Sequence, residues 1–206
     1  MTVSGRNEIG LQIEGLAGII RSCHRCRLSL TRRNAVPGEG NLRSHMLLIA
    51  QAPGEREDRD GRIFTGPSGI LFDRLMNMAG IERSDVYITN LIKCFLPKCR
   101  RPNRPEIEAC KDYLLREIEL VGPEYLIPLG FHATRFLFRH FGIPCPIARE
   151  FHTVFGSIIQ RDGFLIYPVR HPTALLFNPE MEEIMIRQYR KLKEFVAGGG
   201  IMQKYP

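Results

Sequence analysis

Four cysteines stand where they could bind a metal ion or an iron-sulfur cluster. Cys23 and Cys26 form a C-x2-C pair directly after a predicted helix, and Cys94 and Cys110 bracket the basic stretch "CFLPKCRRPNRPEIEAC". A C-x2-C pair and two distant cysteines can complete a four-thiolate site for zinc or for iron and sulfur. The spacing does not distinguish these two, and it leaves open whether Cys94 or Cys99 is the third ligand.

Three carboxylates follow the first predicted strand. The segment "AQAPGERED" predicts a sharp turn at Pro53 and Gly54, which brings Glu55, Glu57 and Asp58 to the edge of the sheet. A carboxylate in this position could orient a water molecule or stabilise a developing cation. The alternative is a solvated acidic loop, and it is the better interpretation for any one of the three taken alone.

An aromatic residue lies between glycines a few positions later. The segment "GRIFTGPSG" contains Phe64, and Gly66 and Gly69 would allow the backbone to approach a phosphate closely. Phe64 could stack on a nucleic-acid base, or it could simply pack on the core.

Two further predicted strands end in polar side chains. Asn90 ends "YITN", and its amide offers a donor and an acceptor together, as reading a base edge requires, although a strand-end Asn is often only a turn former. His171 follows another strand in "VRHPTALLFNP" and can change its charge near neutral pH. Leu175 and Leu176 come next, and they could wedge into a base stack or begin a buried helical turn.

The composition indicates a basic protein with an anionic partner. The 206 residues include 29 Lys and Arg against 22 Asp and Glu, which gives a formal net charge of +7. Such a charge favours nucleic acid, although basic proteins without such a partner are common. The first residues do not resemble a signal peptide, and no apolar run reaches the length that crosses a bilayer. We therefore expect a cytoplasmic protein without membrane association, in which closely spaced cysteines bind metal or do redox chemistry more often than they form disulfides.

Strand and helix patterns alternate along the chain. Apolar runs predict strands at 46–52, 85–90, 124–130 and 163–169, and helical spacing predicts helices at 8–22, 68–80, 105–121, 131–142 and 180–197. This order predicts a central, mainly parallel sheet of about four strands with helices on both faces. In such a sheet the ligand site lies beyond the carboxyl ends of the strands, where the loops 51–67, 90–104 and 170–178 meet.

The order and spacing of these segments closely resemble the family 4 uracil-DNA glycosylases. The segments that carry the resemblance are the C-x2-C pair, "LSLTRRNAVPGEG", "AQAPGEREDRDGRIFTGPSGILFDRL", "YITNLIKC", "NRPEIEAC" and "HPTALL". The resemblance implies one domain over residues 1–206, an α/β fold built as a three-layer α/β/α sandwich, and a four-iron four-sulfur (4Fe-4S) cluster. The cluster ligands that it implies are Cys23, Cys26, Cys94 and Cys110, with Cys99 as an extra cysteine.

The resemblance also implies roles in removing uracil from DNA. Uracil would leave the base stack and enter the site, where Phe64 would stack on it and Asn90 would read its N3-H and O4 edge. Backbone amides around Gln51 and Ala52 would complete the pocket. His171 would donate a hydrogen bond to O2 of the leaving uracil anion.

The resemblance assigns the remaining residues to water and to DNA. Glu57, or Asp58 in its place, would position the attacking water and stabilise the cationic sugar. The implied partner is uracil-containing DNA, single- or double-stranded, and Leu175 or Leu176 would fill the gap that the flipped base leaves. The other predicted DNA contacts are Gly66, Ser68, Arg100, Arg101 and Arg104.

Two departures from the family pattern leave alternatives open. Gln51 stands where the family usually has Glu, and Phe177 stands where Arg is common after the leucines, which removes one potential phosphate contact. One alternative is a glycosylase that prefers another damaged base, namely hypoxanthine, xanthine or a mismatched thymine. Another is a non-catalytic iron-sulfur protein that binds DNA. In each case we expect a monomer.

Overall fold

The structure, a computed structural model, describes residues 3–196, and these contain one six-stranded sheet in the order β1-β3-β2-β4-β6-β5. The strands are β1 (Glu39–Gly40), β2 (Met46–Ala50), β3 (Tyr87–Asn90), β4 (Tyr125–Pro128), β5 (Ile159–Arg161) and β6 (Phe164–Ile166). The helices are α1 (Val3–Arg21), α2 (Glu55–Asp60), α3 (Pro67–Met78), α4 (Arg104–Val121), α5 (Phe131–His140), α6 (Ala174–Phe177) and α7 (Glu182–Val196).

The four central strands run parallel, and the two edge strands run antiparallel to their neighbours. β2 pairs in parallel with β3 and β4, and β4 pairs in parallel with β6. These are the four strands that the apolar runs predicted, so the mainly parallel sheet is confirmed. The edge strands β1 and β5 extend the predicted sheet to six, and at two and three residues they are too short to leave an alternating pattern in the sequence.

Helices cover both faces of the sheet, as predicted for an α/β/α sandwich. One apolar cluster joins α3 and α7 to the sheet, and a second joins α1, α4 and α5 to its other face. On the central strand β2, Leu48 belongs to the first cluster while Leu47 and Ile49 belong to the second. A strand buried on both faces reads as a continuous apolar run, which explains why "MLLIA" shows no polar alternation.

The ends of two helices show how local sequence sets their bounds. α4 begins after Asn103, which forms a capping box with Glu106, and ends at Gly122 in the left-handed conformation. α3 begins at Pro67 with Gly66 as its N-cap, one residue before the predicted start at 68. α2 was not predicted, since "EREDRD" is polar on every face and gives no apolar period.

Among the described residues, no helix has the length and apolarity needed to cross a membrane.

Candidate active site

A pocket of about 530 Å³ lies beyond the carboxyl ends of the central parallel strands, and we call it the strand-end pocket. Its walls come from the segments 51–68, 90–100, 129–132 and 171–177, so the three predicted loops meet there. It brings together the predicted site residues Gln51, Ala52, Glu57, Phe64, Ser68, Asn90, Arg100, His171 and Leu176. Fixed crossovers between parallel strands place these distant segments at one edge of the sheet.

Asn90 presents an unpaired donor in the strand-end pocket. The residue ends β3 and is only 2% exposed, and its amide nitrogen Nδ2 is buried without a hydrogen-bond partner. A buried donor left unpaired costs about 1–3 kcal/mol. A ligand that accepts a hydrogen bond at this nitrogen would recover that free energy.

A buried ionic network supports the same strand end. The ammonium of Lys93 donates to the Thr89 hydroxyl at 2.6 Å, to the backbone carbonyl of Asn90 at 2.9 Å and to Glu117 Oε2 at 2.5 Å. The other Glu117 oxygen accepts from the amide of Gly38 at 2.9 Å. Sequence reasoning missed this network, which we call the Lys93 network, because it joins side chains from separate elements.

His171 is held as a neutral imidazole with a defined tautomer. Its Nδ1 accepts from the Thr173 amide at 3.3 Å and lies 2.8 Å from the Thr173 hydroxyl oxygen. Because Nδ1 is an acceptor, the ring proton resides on Nε2, which is left as a donor. Burial lowers the pKa of His171 to about 4, so the ring is uncharged at neutral pH.

Glu57 is fixed in the strand-end pocket by backbone groups. The side chain is buried in the first turn of α2, and Oε1 accepts from the Gly66 amide at 2.9 Å. A Cβ at Gly54 would stand 2.5 Å from Oε2, so the carboxylate occupies the space that this glycine leaves. Gly66 thus serves the site through its amide.

Asp58 does not line the strand-end pocket, which corrects its predicted role as an alternative to Glu57. Its carboxylate accepts from the Arg33 amide at 3.0 Å and from the Asn34 amide at 3.3 Å. Neighbouring residues of a helix point in different directions, and here Asp58 fastens a loop while Glu57 faces the pocket.

Phe64 lines the strand-end pocket with its ring stacked on Phe72. The two ring centroids are 4.4 Å apart and the planes differ by 3°. The Phe64 ring lies 6.1 Å from the His171 ring, which places an aromatic surface beside the imidazole. Its backbone has a φ of 50°, a left-handed conformation that is uncommon for a bulky residue.

The basic loop contributes differently from the prediction. Arg100 forms an ion pair with Glu106, the capping-box partner of Asn103 at the start of α4. Arg100 is thereby tied to that helix start, although it also lines the strand-end pocket. Arg101 and Arg104 are exposed and remain candidates for phosphate contact.

His132 also lines the strand-end pocket, and sequence reasoning missed it. Burial and the cations Arg101 and Arg135 lower the pKa of this histidine.

The two leucines after His171 have different environments. Leu175 packs in the core, which contradicts its predicted contact with DNA, whereas Leu176 is 55% exposed at the strand-end pocket. Phe177 follows it and is 87% exposed. The structure therefore presents Leu176 and Phe177 at the mouth of the pocket.

The predicted ligand cysteines are free thiols around the end of α1, the loop after β3 and α4. Cys23 and Cys26 are half-buried, whereas Cys94 and Cys110 are buried. N-H groups point at three of the sulfurs: Arg25 N at Cys23 (3.4 Å), the Arg32 guanidinium at Cys94 (3.2 Å) and Lys93 N at Cys110 (3.2 Å).

Burial also sets the chemistry of these thiols. It raises the pKa of Cys94 and raises that of Cys110 to about 12, and the neighbouring cysteines contribute to both shifts. Cys99 is exposed and lines the strand-end pocket instead. Within residues 3–196, no group of three or more His, Cys, Asp or Glu side chains could hold a single metal ion as it stands.

Comparisons with known proteins match the chain to one superfamily. The model of the uracil DNA glycosylase superfamily matches residues 37–196. The chain is similar to the type-4 uracil-DNA glycosylase of Saccharolobus solfataricus, with 40% identity over 88% of this chain and 85% of that protein. It is similar to the type-4 enzyme of Pyrobaculum aerophilum, at 39% identity over 93% and 96%. The type-5 uracil-DNA glycosylase of the same organism is 29% identical over 69% and 67%.

Proposed function

The chain belongs to the uracil DNA glycosylase superfamily and, within it, to the type-4 uracil-DNA glycosylases, and we propose that it removes uracil from DNA by hydrolysing the N-glycosidic bond. The observation that carries the proposal is the buried, unpaired amide nitrogen of Asn90 in a pocket shared with a neutral His171 and the Phe64 ring. The products are free uracil and an abasic site, as for a repair enzyme.

Asn90 would select uracil by its hydrogen-bonding edge. Nδ2 would donate to uracil O4, while the side-chain oxygen would accept from N3-H. Cytosine presents the donor and the acceptor in exchanged positions, so it would leave buried polar groups unpaired. Phe64 would stack on the flipped base, whose unstacking costs a few kcal/mol.

His171 and Glu57 would act on opposite sides of the bond that breaks. As the bond breaks, its electron pair leaves with uracil, and the Nε2-H of His171 would donate to the developing charge on O2. The sugar becomes cationic, and the carboxylate of Glu57 would stabilise it, orient the water that adds to C1′ and accept the proton that this water loses. The departing uracil anion would take up a proton from solvent to give free uracil. A neutral imidazole suits this role because its Nε2 proton stays on the enzyme and stabilises the negative charge on O2 through a hydrogen bond.

Cations of the basic stretch after β3 and of α5 would bind the DNA strand. Arg101, Arg104 and Arg135 carry the charge that phosphates require, and their contacts would make binding sensitive to salt. Leu176 would enter the space that the flipped base leaves, with the exposed Phe177 beside it. The same surface would bind single- or double-stranded DNA that contains uracil.

Cys23, Cys26, Cys94 and Cys110 would hold a 4Fe-4S cluster. The support is their four free thiols from three separate segments and the N-H donors aimed at three of the sulfurs. The cysteines would bind iron as thiolates, and the iron-sulfur bonds would offset the cost of holding this charge in a buried site. When bound, the cluster would supply iron-sulfur bonds that fasten the basic loop to α1 and α4. Iron and sulfide analysis of the purified protein tests this, since a zinc content in their place would contradict it.

Base release from a set of lesions tests the function. Oligonucleotides with uracil, hypoxanthine, xanthine or a mismatched thymine would be incubated with excess protein, and the abasic sites counted after alkaline cleavage. We expect release of uracil from single- and double-stranded DNA. Preferred release of another base would move the substrate, and binding without release of any base would indicate a non-catalytic DNA-binding protein.

A further inference from the structure

The backbone at Phe64 is strained and needs an external support. Phe64 has a φ of 50°, although an aromatic side chain disfavours the left-handed region. Such strained residues persist only when the surrounding structure holds them, and they concentrate at functional sites. The support at this turn therefore decides where the Phe64 ring lies.

Arg83 contacts this turn from outside the strand-end pocket. Its guanidinium donates to the carbonyl of Phe64 at 2.6 Å and to the carbonyl of Ile63 at 3.2 Å. Its other edge donates to both carboxylate oxygens of Asp73 on α3, at 2.7 and 3.1 Å. The Arg83 guanidinium is thus paired with Asp73 and hydrogen-bonded to two successive carbonyls of the turn.

Helix α3 fixes the same carbonyl from a second side. A Cβ at Gly69 would stand 2.0 Å from the Phe64 carbonyl oxygen, so only a glycine fits there. Phe72 of α3 stacks on the Phe64 ring, and the Arg83 guanidinium lies 5.8 Å from the centre of the Phe72 ring. Backbone and ring of Phe64 are therefore positioned together by Arg83 and α3.

We propose that Arg83, held by Asp73, is a positioning residue that locks the Phe64 turn so that the ring is ready to stack on the flipped base. The role rests on the proposed function, because stacking on uracil defines it. An arginine is required, since its planar fork can grip the two carbonyls and the carboxylate together, whereas a lysine offers a single compact cation.

The variants Arg83→Lys and Arg74→Lys form a matched test. Arg74 lies on α3 next to Asp73 and pairs with Glu182 on an exposed surface, away from the turn. Single-turnover uracil release, DNA affinity and melting temperature would be measured for both. We expect Arg83→Lys to slow release about tenfold with DNA affinity unchanged, because the strained turn at Phe64 loses its support. Arg74→Lys should behave like the wild-type chain.

A double-variant cycle separates positioning from general stability. In the Phe64→Ala background there is no ring to position, so Arg83→Lys should cause no further loss of release. Equal losses in both backgrounds, or a wild-type rate for Arg83→Lys, would overturn the proposal. If Arg83→Lys does not fold, Asp73→Asn takes its place in the same cycle with the same expectations. A wild-type chain that releases no uracil would instead overturn the proposed function, and the positioning role with it.

Discussion

The two sides of the carboxyl end of β3 differ in whether their buried polar groups are hydrogen-bonded. On the pocket side, the Asn90 amide nitrogen is buried without a partner. On the other side, Lys93 and Glu117 are each 1% exposed and form an ion pair. Glu117 accepts a hydrogen bond from the Thr89 hydroxyl, and Lys93 donates one to the backbone carbonyl of Asn90. The contrast shows that the unpaired amide nitrogen of Asn90 does not reflect poor hydrogen bonding throughout the strand end. The unpaired nitrogen lies on the surface that a ligand would meet, while Lys93 hydrogen-bonds to the backbone carbonyl of the same residue.

Removing one ion of the Lys93 network should have the largest effect. Lys93→Met leaves Glu117 buried without its cation, so we expect a loss of about 3–5 kcal/mol in the free energy of unfolding. Denaturant unfolding measures this. The double variant Lys93→Met/Glu117→Leu removes both charges and should recover most of the loss. A single variant as stable as the wild type would show that the network does not support the strand end.

On the pocket side, His171 should make the free energy of unfolding depend on pH. The pKa of His171 in the folded protein, about 4, lies below its ordinary value of 6.5, so the unfolded chain takes up the proton first as the pH falls. Stability from this group is complete above about pH 6.5 and is lost towards pH 4, by about 2–3 kcal/mol. His171→Gln should remove that part of the pH dependence, as measured by unfolding at pH 7 and 4.5. Identical acid sensitivity in the variant would contradict the assignment.

Filling the space beside Glu57 should harm the reaction more than the fold. Gly54→Ala places a methyl group 2.5 Å from Oε2 of Glu57, which is too close for contact, so the carboxylate must move. We expect uracil release to fall about tenfold or more, because small displacements of a catalytic group are costly. The melting temperature should change little. An unchanged rate would mean that the position of Glu57 is not critical.

A change outside both regions should have the smallest effect. Gly15 lies in α1 with no atom within 4 Å of a Cβ built on it. Gly15→Ala should therefore stabilise the protein by about 0.5–1 kcal/mol through the helix alone. Thermal unfolding measures the gain, and uracil release at the wild-type rate is the control. A loss of activity would place α1 in the functional region.

The sequence predicted what depends on pattern and missed what depends on pairing. The four parallel strands and the meeting of three loops follow from apolar runs and chain order. The Lys93 network and the support of Phe64 by Arg83 join residues distant in sequence, and no local period reveals them. Leu175 and Leu176 are equivalent in the sequence, and only the packing of α6 buries the first and exposes the second.

Release of uracil by Asn90→Ala tests the central claim most directly. Wild type and variant would be compared under single-turnover conditions on matched oligonucleotides that contain uracil or cytosine at one position. We predict that the wild type releases uracil and leaves cytosine, and that Asn90→Ala loses about 10²–10³ in rate without losing stability. Uracil release by Asn90→Ala at the wild-type rate would contradict the account.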